Sequence, residues 1–211
     1  MPLSSRRALA ALVAVALGIL GACSLQRSGY QFVRSPSTGT YLKVPQEWTV
    51  YGQKDIEKLL AEADPGTERD PFPFISVFDA GEHPQLDLDL GADDPVGLIR
   101  VRELAPTERD AVSFATARNE FHDALNDALE SGEAPLRKMI EIRQRAADGQ
   151  RIVFSYTDEA TGQLVTLDQT TLVDRDKHRI YLLVVGCEAG CYERNRNQID
   201  DVVSSLTIKE R

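Results

Sequence analysis

Apolar and polar positions alternate in short runs along most of the chain, and three stretches switch to helical spacing. Residues 30–34 and 40–44 read as two strands, separated by the turn Ser35-Pro36-Ser37-Thr38-Gly39. Pro45-Gln46-Glu47-Trp48 turns the chain again before a short extension at 49–51. Residues 55–62 form an amphipathic helix with Ile56, Leu59 and Leu60 on one face, ended by Asp64-Pro65-Gly66. Residues 72–78 and 98–104 are strands on either side of a polar, acidic loop at 79–95. The longest helix is expected over 107–131. Thr107 and Asp110 make a capping-box-like start after Pro106, Phe114, Ala117, Phe121, Leu125 and Ala128 share a face, and Gly132 is the stop.

Four strands follow closely, at 139–145, 151–157, 164–173 and 179–185, with hairpin turns expected at Asp148-Gly149 and Thr161-Gly162. The run Ile180 to Val185 is apolar throughout, which places it centrally with both faces covered. A last helix over 192–205 has Ile199, Val202, Val203 and Leu206 as its stripe. Consecutive hairpins predict a mostly antiparallel sheet in an α/β (α+β) fold, and the doubly covered strand requires helices on both faces.

The N-terminal segment breaks this pattern. Arg6 and Arg7 precede an uncharged, mostly apolar run from 8 to 22, too short for a membrane helix, which needs about 20 residues. Charge, apolar core and small residues in that order are a signal peptide. Its end, Leu20-Gly21-Ala22-Cys23, is similar to a bacterial lipobox, whose cysteine accepts diacylglycerol; the alternative is an ordinary signal peptide beside an incidental cysteine. Residues 1–22 are thus the expected leader, 23–29 a lipidated tether, and 30–211 one globular domain. Two acyl chains give stable anchoring where one does not. The six residues from Ser24 to Gly29 reach at most about 20 Å. The expected location is extracytoplasmic, at the cell membrane.

With Cys23 set aside, Cys187 and Cys191 remain, and an even remainder in an oxidising compartment suggests a disulfide. Gly190 eases the turn that a CxxxC bridge needs, and so short a loop is worth about 2 kcal/mol. A reduced, metal-binding or redox-active pair are the alternatives. Without residues 1–22 the chain has 22 basic and 33 acidic side chains, a net of −11. Such a charge repels nucleic acid and is poorly suited to adhesion on anionic lipid.

Candidate chemistry is sparse. His83, His122 and His178 lie in no metal-ligand or nucleophile motif, and the G-x-S-x-G, P-loop and G-x-G-x-x-G patterns are missing. Asp87, Asp89, Asp93 and Asp94 surround Gly91 and offer oxygens for Ca²⁺, although the spacing is not that of an EF-hand. The bland counterpart is an exposed acidic turn.

Gly39, the run Tyr41 to Trp48 with its Pro-x-x-Trp turn, then Cys191-Tyr192, Ile199, Val203, Ser205 and Leu206 resemble the PsbP-like superfamily. Within it they resemble the LpqN-type lipoproteins of actinobacteria. The resemblance implies an α/β/α sandwich and non-enzymatic partner binding, with no cofactor. The expected role is an accessory module for cell-envelope proteins. A carrier of lipid, glycan or calcium and an envelope hydrolase with a dispersed site are the rivals. Convergent Asp, His and Ser would favour the hydrolase, a deep apolar pocket the carrier, and an exposed apolar patch the docking role.

Overall fold

The computed structural model describes residues 29–63, 72–86, 88–121, 125–159 and 161–210. Expectations for the leader, for Cys23, for the stop at Asp64-Pro65-Gly66, for Asp87 and for His122 fall outside them.

A seven-stranded sheet forms the middle layer. Its members are β3 (Thr49–Tyr51), β4 (Phe74–Asp79), β5 (Val96–Glu103), β6 (Leu136–Arg143), β7 (Ala147–Thr157), β8 (Leu164–Asp174) and β9 (Arg179–Glu188), ordered β3-β4-β5-β9-β8-β7-β6. A small sheet, ordered β1-β2-β10, contains β1 (Tyr30–Ser35), β2 (Thr40–Pro45) and β10 (Thr207–Ile208). Every pairing is antiparallel. Five helices are described: α1 (Gln53–Ala63), α2 (Pro106–Arg109), α3 (Phe114–Arg118), α4 (Leu125–Ser131) and α5 (Ala189–Ser204).

β9 is central, and its side chains divide between two cores. Tyr181, Leu183, Val185 and Cys187 face a cluster built with Ile199, Val202 and Val203 of α5 and with Val33, Leu42, Val44 and Ile208 of the small sheet. Leu182 and Val184 face Leu125 of α4, and Ile180 faces Ala117 of α3. The expected fold class is therefore observed: a mixed α+β chain with helices on both faces of an antiparallel sheet. Trp48, in the turn after β2, is buried and stacked on Phe78.

Three expectations fail for identifiable reasons. The helix over 107–131 is three short pieces instead of one, and α5 is the longest helix described. Ser113 is extended and caps α3 by accepting from the Thr116 amide, while Asn126 Nδ2 donates to the Ala115 carbonyl. Such side chains offer the backbone partners outside a helix, and here they prevail. Four residues of the expected apolar stripe, Ala117, Phe121, Leu125 and Ala128, meet the sheet, whereas Phe114 joins none of the core clusters.

Asp148-Gly149 is not a turn. Both residues lie inside β7, and the chain reverses over 144–146. A Cβ on Gly149 would collide with the Thr171 carbonyl and the Leu172 backbone, so the glycine permits close strand approach. The first hairpin, finally, belongs to a separate sheet completed by β10, a strand too short to show periodicity.

Candidate functional site

The disulfide and α5 set the geometry of the most distinctive polar constellation. Cys187 is the next-to-last residue of β9, Cys191 lies in the first turn of α5, and both are buried and bonded, with 5.9 Å between their Cα atoms. Between them Glu188 caps the helix, accepting from the amides of Gly190 (2.7 Å) and Cys191 (3.0 Å). Those amides hold its carboxyl below the usual glutamate range.

From this fixed start, Tyr192, Arg196, Asp200 and Ser204 recur every fourth residue and so share one side of α5. That side meets Arg151 of β7 and Asp168 of β8, which stand diagonally across the strand pair, Val153 being directly opposite Asp168. Arg151 grips Asp168 with two bonds, Nε to Oδ1 at 2.8 Å and Nη2 to Oδ2 at 2.6 Å. The Tyr192 hydroxyl donates to Asp168 Oδ2 at 3.1 Å. On its outer side Arg151 reaches Asp200 at 2.7 Å and Ser204 at 3.2 Å. The side chains of Arg151 and Asp168 are 7% and 0% exposed, whereas Asp200 is 49% exposed.

Burial alone would ease Arg151 towards deprotonation, but the bonds and charges of Asp168 and then Asp200 outweigh it and raise its pKa. Burial, reinforced by the neighbouring Asp168 charge, raises the Tyr192 phenol, which stays neutral. A shallow groove of about 240 Å³ opens over this network, bordered also by Arg137, Lys138 and Arg196. Arg137 pairs with Glu193 at 2.6 Å and Lys138 lies 3.8 Å from Asp200. Among the described residues Arg196 has no ion-pair partner.

The groove runs along β6, the edge strand of the large sheet. Among the described residues β6 pairs only with β7, so one row of its backbone groups is unpaired by any strand. Its side chains Leu136, Met139 and Ile140 are between 40% and 46% exposed. A register shift between Leu136 and Lys138 turns Leu136 and Met139 to the α4 face, opposite Phe154 and Ile152. Ile140 and Lys138 are opposite Arg151 and Val153 and so border the groove. A long, partly apolar, unpaired edge is a template for another strand.

The other candidates offer less. A cleft of about 520 Å³ contains Arg109, Arg145, Arg175 and Arg179, and these guanidinium groups staple loops together. Arg145 pairs with Glu210, Arg179 with Glu103, and Arg175 donates to the Arg145 and Gln144 carbonyls. In the acidic loop Asp89 accepts from the Gly91 amide at 3.0 Å, and Asp93 and Asp94 are exposed. Among the described residues no three His, Cys, Asp or Glu side chains gather into a metal-binding group. His83 and His178 are exposed. Among the described residues no His ring is hydrogen-bonded to a nucleophile, and none of the helices is long and apolar enough to cross a membrane.

None of Arg151, Asp168, Tyr192 or Asp200 belongs to the sites read from sequence. A signal did exist: Asp168-Gln169-Thr170-Thr171 is a polar run inside a strand flanked by apolar residues, and all four are buried.

No protein-family model and no curated protein matches this chain. Among solved structures it is similar to LpqN of Mycobacterium tuberculosis, described as involved in cell envelope biogenesis, at 12% identity and TM-score 0.48, over 86% of this chain and 91% of the other. It is similar to the Ran-binding protein Mog1p of Saccharomyces cerevisiae at 8% identity and TM-score 0.47, over 86% and 96%. It is also similar to the cyanobacterial PsbP of Synechocystis sp. PCC 6803 at 14% identity and TM-score 0.46, over 90% and 99%.

Proposed function

We propose that the mature chain is a non-enzymatic docking module of the bacterial cell envelope, anchored outside the cytoplasm through lipid on Cys23 and akin to LpqN-type lipoproteins. Its partner is an extended segment of an envelope protein that pairs with the free edge of β6. The observation that carries this reading is that edge, with Leu136, Met139 and Ile140 exposed along it. Backbone pairing would supply affinity, and alternate side chains would supply specificity. Segments with a carboxylate facing the groove fit best, because Lys138 and Arg196 stand there with Arg151 behind them.

A photoreactive amino acid at Ile140, in cells with intact envelopes, tests this reading. A discrete adduct is expected, it disappears when Met139 is also replaced by Lys, and none forms from the same probe at Leu59 on α1. An equal adduct pattern from both positions refutes the β6 reading. Fractionation tests the anchor separately: Cys23→Ala should be released or left uncleaved, and a cleaved mutant that still fractionates with membranes overturns the lipid assignment.

A further inference from the structure

The small sheet has an inward and an outward face. Val33, Leu42, Val44 and Ile208 point inward to the core. The outward set, by strand alternation and register, is Tyr30, Phe32 and Arg34 on β1 with Lys43 and Tyr41 on β2, while Pro45, opposite Tyr30, is buried. Phe32 is 64% exposed, the most of any large apolar side chain described. Lys209, just after β10, places its ammonium 4.1 Å from the centre of the Tyr41 ring. Arg34 and Lys43 have no ion-pair partner among the described residues. Acid approaches the Tyr30 corner, where Asp201 accepts from the Tyr30 hydroxyl at 3.3 Å and Glu47 lies near. A chain with a net of −11 outside its leader has thus gathered three cations and three aromatic rings on one small face.

We infer that this outward face rests in the headgroup region of the bilayer that holds the lipid of Cys23, with Phe32 inserted and Arg34, Lys43 and Lys209 on lipid phosphates. The inference rests on the anchor reading. Two observations choose this occupant. β1 begins seven positions after Cys23, so a tether of at most about 20 Å keeps the start of this strand beside the membrane. The local charge is also opposite to the molecule's net charge, and it complements anionic phospholipid. Exposed aromatic rings flanked by cations suit an interface that is apolar on one side and charged on the other. Anchor and face together would fix the orientation of the domain, which a single attachment point alone cannot do.

The test uses the full chain, processed in cells and reconstituted in phosphatidylcholine–phosphatidylglycerol vesicles with brominated acyl chains. Trp48 is buried and provides a constant background. The Phe32→Trp variant should be quenched severalfold more than Met139→Trp, whose reporter stands on the α4 face of the large sheet. Adding Arg34→Glu and Lys43→Glu should remove most of the difference, as should pure phosphatidylcholine. If the protein carries lipid and floats with vesicles but the two reporters are quenched equally, the orientation is wrong while the anchor stands. Protection of the Phe32→Trp reporter by dimer formation in place of bromolipid quenching likewise overturns it. If mass analysis finds no lipid on Cys23, the anchor reading fails and the inference falls with it.

Discussion

The buried network makes a quantitative prediction about Asp168→Asn. The carboxylate accepts three hydrogen bonds, two from Arg151 and one from Tyr192. An amide keeps one acceptor oxygen and turns its NH2 group towards a donor. At least one charge-assisted bond is lost, at about 1.5–3 kcal/mol, and Arg151 stays charged and buried. Removing one partner of a buried pair costs roughly 3–5 kcal/mol. Asp200 still holds Arg151 at 2.7 Å, but at 49% exposure it compensates only in part. The expected loss is about 3 kcal/mol, near the lower bound. With a urea dependence of about 2 kcal/mol per M, the unfolding midpoint should fall by roughly 1.5 M. Asp200→Asn should lose less than about 1 kcal/mol. The triple replacement Arg151→Met, Asp168→Leu and Tyr192→Phe removes both buried charges of this network together and should recover at least half of the loss. Urea melts of these variants, followed by the fluorescence of Trp48, decide the matter. If Asp168→Asn costs no more than Asp200→Asn, the pair is not the electrostatic centre described here.

Four further outcomes are expected. Cys187→Ala with Cys191→Ala should lower stability by about 2 kcal/mol, and alkylation of the unreduced parent should add no mass at these residues. Gly149→Ala should cost at least about 2 kcal/mol in a melt, because its Cβ meets the Thr171 and Leu172 backbone, which cannot give way as a side-chain end can. The raised Tyr192 phenol stabilises the fold fully below the ordinary tyrosine pKa of about 10; above it the unfolded chain gives up a proton that the folded one keeps, so stability falls as pH rises. Tyr192→Phe should make that alkaline loss shallower, although Tyr156 and Tyr181 leave some of it. Glu188 acts in the opposite sense. Its lowered pKa stabilises above the ordinary glutamate value of about 4.3 and is lost as pH falls through the folded value, so Glu188→Gln should soften the acid limb of a stability–pH profile.

Hydropathy carried the fold further than the site. The doubly buried β9 announced itself by its unbroken apolar run, and strand alternation found nine of the ten strands to within a few residues. Local rules erred where a distant contact decided the outcome. Asp148-Gly149 has the composition of a turn, but Gly149 serves the approach of β8, which no window around it can reveal. The helix over 107–131 had the right stripe and the wrong continuity, because Ser113 and Asn126 bond backbone groups that a continuous helix would have bonded itself. The Arg151–Asp168 pair is joined across 17 positions and completed from α5, so only the polar run 168–171 could have hinted at it.

Under the proposed membrane contact, net charge is a correct sequence quantity that would point in the wrong direction. A value of −11 predicts repulsion from anionic surfaces, but beyond the Debye length, about 8 Å in physiological salt, that repulsion is largely screened. An anchored domain does not work at that range. Held by the proposed lipid tether, it would present one face within a few ångströms of the headgroups, where nearby charges count and remote carboxylates are screened. Register decides which charges those are: the alternation of β1 and β2 sends Arg34 and Lys43 outward with Phe32 and Tyr41, while Lys209 joins them only because β10 closes the small sheet. The short strand that periodicity overlooked is therefore the one that completes the basic face. Reversing its charge alone, Lys209→Glu, should weaken the bromolipid quenching of the Phe32→Trp reporter and leave flotation unchanged, because flotation reads the lipid and quenching reads the face. Equal quenching with and without that reversal would take Lys209 out of the membrane contact and confine it to Arg34 and Lys43.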